Sequence, residues 1–489
     1  MGAIEEPSPV KKLMHLNFFD MACAGSHMPY GQWKDPDDIS RFKDRLDYYL
    51  WLAKLADKGK ITSIFFADIY GGHDVYRGNM DAMFKGGANC AMIDPVTIVS
   101  AMAAVTKSVG FGITGSTSYI SPYILARTWS SLDHLTRGRI GWNVVTSYGE
   151  SAAKAMGKDT VPSSTERYAA AEEYLDLTYQ LWEKSWEDGA AAWDIESNTA
   201  YDPEKIHKIE FNGKYHKMSA YHQTHPSPQR TPVIFQAGAS KSGIEFAGKH
   251  AEGIYTDMSS KAGLLAHTKA VRAEAVKCGR DPSSIKFFAA ITPVLGRTVE
   301  EANAKFEKAK KNMTGEVSLA KFSAYTGIDM SQYPMDEPFV FDGNTSAANT
   351  ITGVIKNMKS KFDQFEGPVT PRMFMESMSF GNSGLTPVGT PEMVADVFED
   401  FFNATDIDGF NVVYVSNPGS YEDVVELLVP ELQKRGVMWQ DYAVPGGTFR
   451  ENLHSCPGQT FLSPEHPGAK HRWENKPQTK DVNVVPTES

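Results

Sequence analysis

The strongest constraint on the fold is an alternation of strand-like and helix-like segments along most of the chain. Apolar runs rich in β-branched and aromatic residues recur eight times, and most precede a segment with helical periodicity. The predicted strands are residues 13–19, 61–66, 108–114, 139–145, 231–236, 253–256, 284–294 and 409–415. Parallel strands with helical crossovers form a closed barrel or an open doubly wound sheet. The count of eight favours an α/β TIM (β/α)8 barrel.

Two irregular stretches interrupt this alternation. Residues 187–230 and 314–386 have little periodicity, which predicts long insertions after the fourth and seventh strands. Loops at the catalytic face of a barrel can act as lids, so we expect both insertions there, with aromatic residues lining an apolar pocket. The expected organisation is one barrel domain over residues 1–440, followed by a C-terminal extension over residues 441–489.

Composition excludes several classes of protein. The net charge of −11 and the pI of about 5.7 argue against nucleic acid or an anionic membrane surface as the main partner. No apolar run approaches transmembrane length, and the N-terminus lacks the apolar core of a secretory signal. The cysteines form no CxxC pair and the histidines show no ligand spacing, so we expect reduced thiols, no metal site and a cytoplasmic location.

A carboxylate follows the second predicted strand. Residues 61–68 read ITSIFFAD, a short apolar run that ends on Asp68. Chemistry in α/β proteins collects at the C-terminal tips of parallel strands, so Asp68 is a candidate site residue. The alternative is that Asp68 caps the turn into the glycines at 71 and 72.

Polar groups follow two further strands. Residues 236–240, QAGAS, lie between a strand and a helix, where free backbone N–H groups and the Ser240 hydroxyl suit an anion. Residues 142–148 place Asn143, Thr146 and Tyr148 around another strand tip, where they suit a polar ligand. An ordinary helix cap at Ser240 and ordinary turn chemistry at 142–148 are the alternatives.

Two other motifs are weaker. Residues 110–115, GFGITG, match GxGxxG, but their glycines fall within a strand, unlike a dinucleotide fingerprint. They leave room for a flat ligand near the Thr114 hydroxyl, or they belong to a glycine-containing core strand. Cys23 and His27 follow the first strand, but their spacing in a Gly–Pro loop is not a nucleophile motif.

Several segments together resemble the bacterial luciferase-like superfamily. They are FFAD at 65–68, DPVTIVSAMAAVT at 94–106, TGSTSYISPY at 114–123, SLDHLTRGRIGWNVVTS at 131–147, ERYAAAEEYLD at 166–176 and SPQRTPVIFQAGAS at 227–240. GIDMSQY at 327–333 and VPELQKRG at 429–436 also fit. The chain is most similar to the two-component flavin monooxygenases that act on nitrilotriacetate, dibenzothiophene sulfone, dimethyl sulfide and long-chain alkanes.

The resemblance implies a TIM barrel that binds reduced FMN (FMNH2) at its C-terminal mouth. It implies flavin contacts at five positions, Asp68, Thr114, Ser164, Tyr168 and Ser240. The family often has His where Ser164 stands, and the alkane enzyme has His at the position aligned with Tyr148. We therefore expect His27, Tyr148 and Asn143 to take the catalytic roles here.

The implied reaction is transfer of one oxygen atom from O2 to a small, apolar organic substrate, with the flavin carrying the redox chemistry. The implied partner is a separate NAD(P)H:flavin reductase, and the family favours homodimers or homotetramers. Two alternatives stay open: a deazaflavin-dependent reductase on the same barrel, and a non-catalytic flavin-binding protein.

Overall fold

A computed structural model of the protein describes residues 12–25, 27–256, 260–338, 370–378, 380 and 385–473. Eight parallel strands form a closed barrel. They are β1 His15–Met21, β2 Ser63–Ala67, β3 Gly110–Ser116, β4 Ile140–Val145, β5 Val233–Gln236, β6 Gly253–Thr256, β7 Lys286–Ile291 and β8 Gly409–Val413. Each strand pairs with the next along the chain, and β8 pairs with β1. The predicted α/β TIM barrel is confirmed.

Helices surround the barrel as crossovers. They are α1 Leu46–Lys58, α2 Val96–Ala104, α3 Pro122–Leu135, α4 Ser164–Tyr179, α5 Lys241–His250, α6 Lys261–Lys277 and α7 Pro391–Ala404. After β8 the chain is helical through Gly419–Asp423, the π turn Val424–Leu428 and Val429–Lys434. Local sequence explains the starts, since Pro122 opens α3 and the hydroxyls of Ser163, Ser240 and Thr390 cap α4, α5 and α7.

Aromatic rings fill the interior of the barrel. Tyr255 stacks on Phe65 and Phe235, with ring centroids 4.0 Å and 5.0 Å apart. Phe235 also stacks on Phe449, which begins the short helix Phe449–His454. A larger apolar core lies between the outer face of the strands and the helices. The barrel lumen is therefore a packed core that leaves ligands to the rim.

The glycines of the GFGITG segment make room for these side chains. A Cβ on Gly110 would lie 2.7 Å from the Phe449 ring, and one on Gly115 would lie 2.7 Å from Nε1 of Trp142. All of Gly110–Ser116 is buried strand. The expectation that the glycines leave space for a flat ligand is therefore wrong, because neighbouring aromatic rings occupy that space.

The C-terminal segment closes the N-terminal end of the barrel. Arg450 is fully buried, and its guanidinium donates to Glu252 at 2.6 Å and to the carbonyl oxygen of Thr231 at 2.9 Å. Glu252 in turn accepts from the backbone N–H of Ile234 in β5 at 3.0 Å. The segment is thus bonded to the starts of the strands and does not fray over its described part.

The first insertion packs along the outside of α3 and α4. It follows α4, whose chain direction returns it to the N-terminal end. Glu173 of α4 accepts from the backbone of Tyr215 at 2.8 Å, and Tyr123, in the first turn of α3, donates to the carbonyl oxygen of Tyr221 at 3.2 Å. These contacts place Tyr215 and Tyr221 against the outer helices, and the expectation that residues 187–230 cover the catalytic face stays a prediction.

The second insertion does cover the mouth. In the structure it begins earlier than predicted, directly after β7, and its described helices are Val299–Asn312, Gly315–Thr326 and Pro371–Ser377. Gln32 in the loop after β1 donates to the carbonyl oxygen of Ala309 at 2.9 Å, and helix Gly315–Thr326 packs on helix Asp81–Gly86 after β2. Much of the predicted insertion at 314–386, the N-terminus before Lys12 and residues 474–489 of the predicted extension lie outside the described residues.

In the described part of the chain, no helix combines the length and the apolar character needed to cross a membrane.

Candidate functional site at the barrel mouth

Asp68 lies at the tip of β2, as the sequence predicted. Its carboxylate is half-buried and accepts from the backbone N–H of Ile69 at 2.9 Å. Burial, followed by the nearby Asp94 carboxylate, raises the pKa of Asp68 to about 7. A carboxyl group that titrates near neutrality at a strand tip can both accept and donate a hydrogen bond to a ligand.

Thr114 and Asn143 are direct neighbours across β3 and β4. The Thr114 hydroxyl donates to the carbonyl oxygen of Phe66 at 3.1 Å, and the Asn143 amide donates to that hydroxyl at 3.0 Å. The Oδ1 atom of Asn143 is buried and has no hydrogen-bond partner among the described residues. Because buried polar atoms are seldom left unpaired, this oxygen is suited to a donor on a ligand.

A small cradle forms between β5 and the start of α5. Gln236 donates to the Tyr168 hydroxyl at 3.3 Å, and the Ser240 hydroxyl accepts from the backbone N–H of Gly243 at 3.1 Å. A Cβ on Gly238 would lie 2.4 Å from Nε2 of Gln236 and 2.6 Å from the Tyr168 hydroxyl. The site has a helix N-terminus, two hydroxyls and a backbone without a side chain, as an anion such as phosphate requires.

Two further observations support a ligand at this cradle. Oε1 of Gln236 is buried without a partner among the described residues. Ser164 begins α4 and lies one turn before Tyr168, so both side chains share one face of the helix. The four residues Ser164, Tyr168, Gln236 and Ser240 thus come from three elements: α4, the end of β5 and the start of α5.

His27 lies in the loop after β1 and is buried. Its backbone N–H donates to the Tyr414 hydroxyl at 3.3 Å, and its ring stands edge-on to Phe19 with the centroids 4.6 Å apart. Nδ1 has no partner among the described residues. Burial, with a smaller effect of the Lys321 ammonium group, lowers the pKa of His27 well below its usual value, so the imidazole is neutral.

Cys23 does not act as a nucleophile beside His27. Its side chain is fully buried, and burial raises the pKa of the thiol to about 11. Since the thiolate is the reactive form, Cys23 is inert near neutral pH. No group of three or more His, Cys, Asp or Glu side chains within the described ranges is arranged to hold a metal ion.

The structure brings Tyr148 together with residues that the sequence did not single out as site residues. The ring of Tyr148 lies 6.3 Å from that of Tyr325, which in turn lies 5.8 Å from His73. The Lys321 ammonium group lies 5.7 Å from the centre of the Tyr325 ring. His73 and Lys321 are buried, and burial lowers the pKa of His73 to about 3.

The sequence did not predict that these groups meet, because they come from three distant segments. His73 follows β2, Tyr148 follows β4, and Lys321 and Tyr325 lie on helix Gly315–Thr326 of the second insertion. The sequence predicted Tyr325 only as an aromatic wall residue. Lys321 and Tyr325 are four residues apart, a spacing that places both side chains on one face of a helix. This spacing was the signal that the sequence offered.

Comparison with known proteins identifies the family. Residues 14–407 match the family model described as luciferase-like monooxygenase. The chain is 41% identical over 461 residues to the long-chain alkane monooxygenase of Geobacillus thermodenitrificans, covering 94% of this chain and 98% of that protein. The chain belongs to the luciferase-like monooxygenase family. It is 38% identical to the dimethyl-sulfide monooxygenase of Hyphomicrobium sulfonivorans, covering 95% of this chain and 94% of that protein.

A solved structure links this barrel to flavin. The crystal structure of a riboflavin lyase with modified FMN and its substrate riboflavin superimposes with a TM-score of 0.86 at 34% identity, covering 95% of this chain and all of that one. Together with the family, this makes the present chain a flavin-dependent monooxygenase. The residues at its mouth fit such a group, since they combine the cradle at Gly238 with buried amide oxygens that have no hydrogen-bond partner in the described part of the chain.

Proposed function

We propose that this protein binds reduced FMN at the barrel mouth and transfers one oxygen atom from O2 to a small organic substrate. A separate NAD(P)H:flavin reductase would supply the reduced FMN. The observation that carries the proposal is the cradle at Gly238, where a glycine, two hydroxyls and the N-terminus of α5 meet at the rim of a luciferase-like barrel. Bound FMN would supply the electrons that activate O2.

The proposed flavin contacts divide between two parts of the rim. Ser164, Tyr168 and Ser240 would hold the phosphate and ribityl chain at the cradle, while Asp68 and Thr114 would contact the ring system from β2 and β3. The lumen below is filled by aromatic side chains, so the ring system would lie on the rim above them. The protonated form of Asp68, populated near pH 7, would donate to a ring nitrogen or oxygen.

His27, Tyr148 and Asn143 are the proposed catalytic residues. Neutral His27 offers an Nδ1 atom and Asn143 an Oδ1 atom that are unpaired among the described residues, so both can hold a proton donor on the substrate or on the flavin. Burial raises the pKa of Tyr148, so its hydroxyl stays protonated and acts as a donor. Helix Gly315–Thr326 would exclude water from the reacting atoms.

The substrate class is narrower than the fold alone implies. The relatives named above act on a long-chain alkane and on dimethyl sulfide, which are apolar molecules. The mouth presents the rings of Tyr148 and Tyr325, which suit an apolar chain, beside the polar side chains of His73 and Lys321. We therefore propose an organic substrate with an apolar body, and a homodimeric or homotetrameric enzyme in the cytoplasm.

A coupled assay tests this function against its alternatives. The protein is mixed with FMN, NADH and a purified flavin reductase, and O2 uptake, H2O2 and products are measured for alkanes, dialkyl sulfides, sulfones, amines and ketones. The proposed monooxygenase forms an oxygenated product from one class and consumes O2. A deazaflavin-dependent reductase would reduce a substrate with reduced deazaflavin and consume none. A non-catalytic binder would bind FMN and form no product from any class.

A pair of matched variants tests whether FMN binds at the barrel mouth. Asp68→Ala should weaken FMN binding, while Asp202→Ala, on the first insertion, should not. Asp202 caps a short helical turn there and is not among the proposed flavin contacts. Equal FMN affinity of Asp68→Ala and the unsubstituted protein would contradict the proposed placement of the flavin.

A further inference from the structure

A buried polar network lies directly beneath the loop that carries His27. Asp20 of β1 and Lys43 form an ion pair at 2.5 Å, and both side chains are fully buried. The Tyr48 hydroxyl donates to the other carboxylate oxygen of Asp20 at 2.7 Å. Lys43 also donates to the Tyr414 hydroxyl at 3.2 Å, so the network joins β1 to the end of β8.

Tyr414 is the link between this network and His27. It follows the last residue of β8 and is fully buried. Its hydroxyl accepts from Lys43 on one side and from the backbone N–H of His27 on the other. A fully buried ion pair is seldom retained for stability alone, since an apolar replacement is often as stable.

We propose that Tyr414, held by the Lys43–Asp20 pair, is a positioning residue that fixes His27 over the barrel mouth. The inference deepens the proposed function and rests on the role given there to His27. Tyr414 does not reach the His27 ring through this bond. It fixes the backbone from which the ring projects, and the edge-on contact with Phe19 then sets the ring orientation.

Hydrogen exchange tests the positioning without any substrate. In Tyr414→Phe, the His27 amide loses its acceptor, and exchange in a peptide over residues 22–31, followed by mass spectrometry, should become about tenfold faster. The control is Tyr442→Phe, which removes another buried tyrosine hydroxyl bond, to the carbonyl oxygen of Ile61 before β2. Unchanged exchange in Tyr414→Phe, or an equal increase in both variants, would overturn the proposal.

A double-mutant cycle tests the functional consequence. Wild type, Tyr414→Phe, His27→Asn and the double variant are each loaded with reduced FMN and mixed with O2, and flavin reoxidation and H2O2 yield are recorded. If Tyr414 acts through His27, Tyr414→Phe should change the rate about tenfold in the wild-type background and not at all in His27→Asn. Additive effects of the two substitutions on the rate would contradict the inference.

The two experiments separate the inference from the function on which it rests. If His27→Asn leaves the reaction with O2 and the coupled oxygenation unchanged, the catalytic role of His27 fails. Exchange at residues 22–31 still reports whether Tyr414 fixes the loop. If His27→Asn abolishes oxygenation and Tyr414→Phe changes neither exchange nor rate, the positioning inference fails alone.

Discussion

Two buried sets of polar groups, one at each end of the barrel, differ in how they are paired. At the N-terminal end, Arg450 and Glu252 are buried, and each makes several hydrogen bonds to the other or to backbone. At the C-terminal mouth, buried atoms of Asn143, Gln236 and His27 have no partner among the described residues. The comparison teaches that the Arg450–Glu252 pair holds the C-terminal segment to the barrel, whereas the unpaired atoms at the mouth are available to a ligand.

Disrupting the Arg450–Glu252 pair at the N-terminal end of the barrel should have the largest effect on stability. Arg450→Met removes the cation that, against the opposing effect of burial, holds the pKa of Glu252 well below its usual value. The uncompensated carboxylate should lower the free energy of unfolding by about 3–5 kcal/mol in urea titrations. The control Lys58→Met breaks the exposed pair with Glu426 and should change little. Equal losses of unfolding free energy in the two variants would contradict the stabilising role of the Arg450–Glu252 pair.

Filling the cradle at the mouth should weaken flavin binding and spare stability. Gly238→Ala places a methyl group against Gln236 and Tyr168, so the affinity for FMN should fall about tenfold or more. Quenching of FMN fluorescence measures the affinity. Gly149→Ala is the control, because its nearest neighbours lie 3.9 Å from the added Cβ. A similar loss in both variants would show that the cradle does not hold the phosphate.

The Asp68 carboxyl group should destabilise the folded protein more as the pH rises. Its pKa is raised to about 7 in the folded protein, so between about pH 4 and pH 7 the unfolded chain loses a proton that the folded chain keeps. The carboxyl group therefore destabilises the fold increasingly over that range. Asp68→Asn without flavin should match wild type near pH 4 and exceed it by up to about 4 kcal/mol at pH 8.

The measurement for Asp68 is the urea midpoint at each pH, with Asp202→Asn as the control, because Asn can also cap the turn at that position. The same Asp68→Asn protein should bind FMN less tightly, which would show a trade between stability and function at the mouth. A stability difference that is constant with pH would contradict the raised pKa.

Tyr148→Phe should have the smallest effect. Because burial keeps the hydroxyl protonated, its loss removes one donor and leaves the pH profile below pH 9 unchanged. We expect a few-fold lower yield of oxygenated product per O2, about 1 kcal/mol of lost interaction, measured as the ratio of product to H2O2. Tyr201→Phe on the first insertion is the control and should match wild type.

The comparison of the two ends also separates the two insertions. Both are irregular in sequence, yet residues 187–230 lie outside α3 and α4, and the described part of the second insertion lies over the mouth. The difference comes from topology, since one insertion follows a crossover helix and the other follows a strand. An irregular stretch of sequence indicates the length of an insertion. It does not show which elements of the barrel the insertion packs against.

The sequence by itself determined the eight strands, their helical crossovers and the positions of Asp68, Asn143 and Ser240 towards the carboxyl ends of β2, β4 and β5. Those features depend on local periodicity and on the shared direction of parallel strands, which a single chain encodes along its length. Catalytic roles and flavin contacts for these residues stay predictions.

Only the tertiary structure decided which distant groups meet. It joined Tyr414 to His27 and brought Lys321 and Tyr325 beside His73 and Tyr148. It also showed that aromatic side chains occupy the space beside the glycines of β3. Such contacts depend on ring orientation and on the path of long loops after barrel closure. No local pattern specifies them, because each one joins residues whose separation in sequence is unrelated to their distance in space.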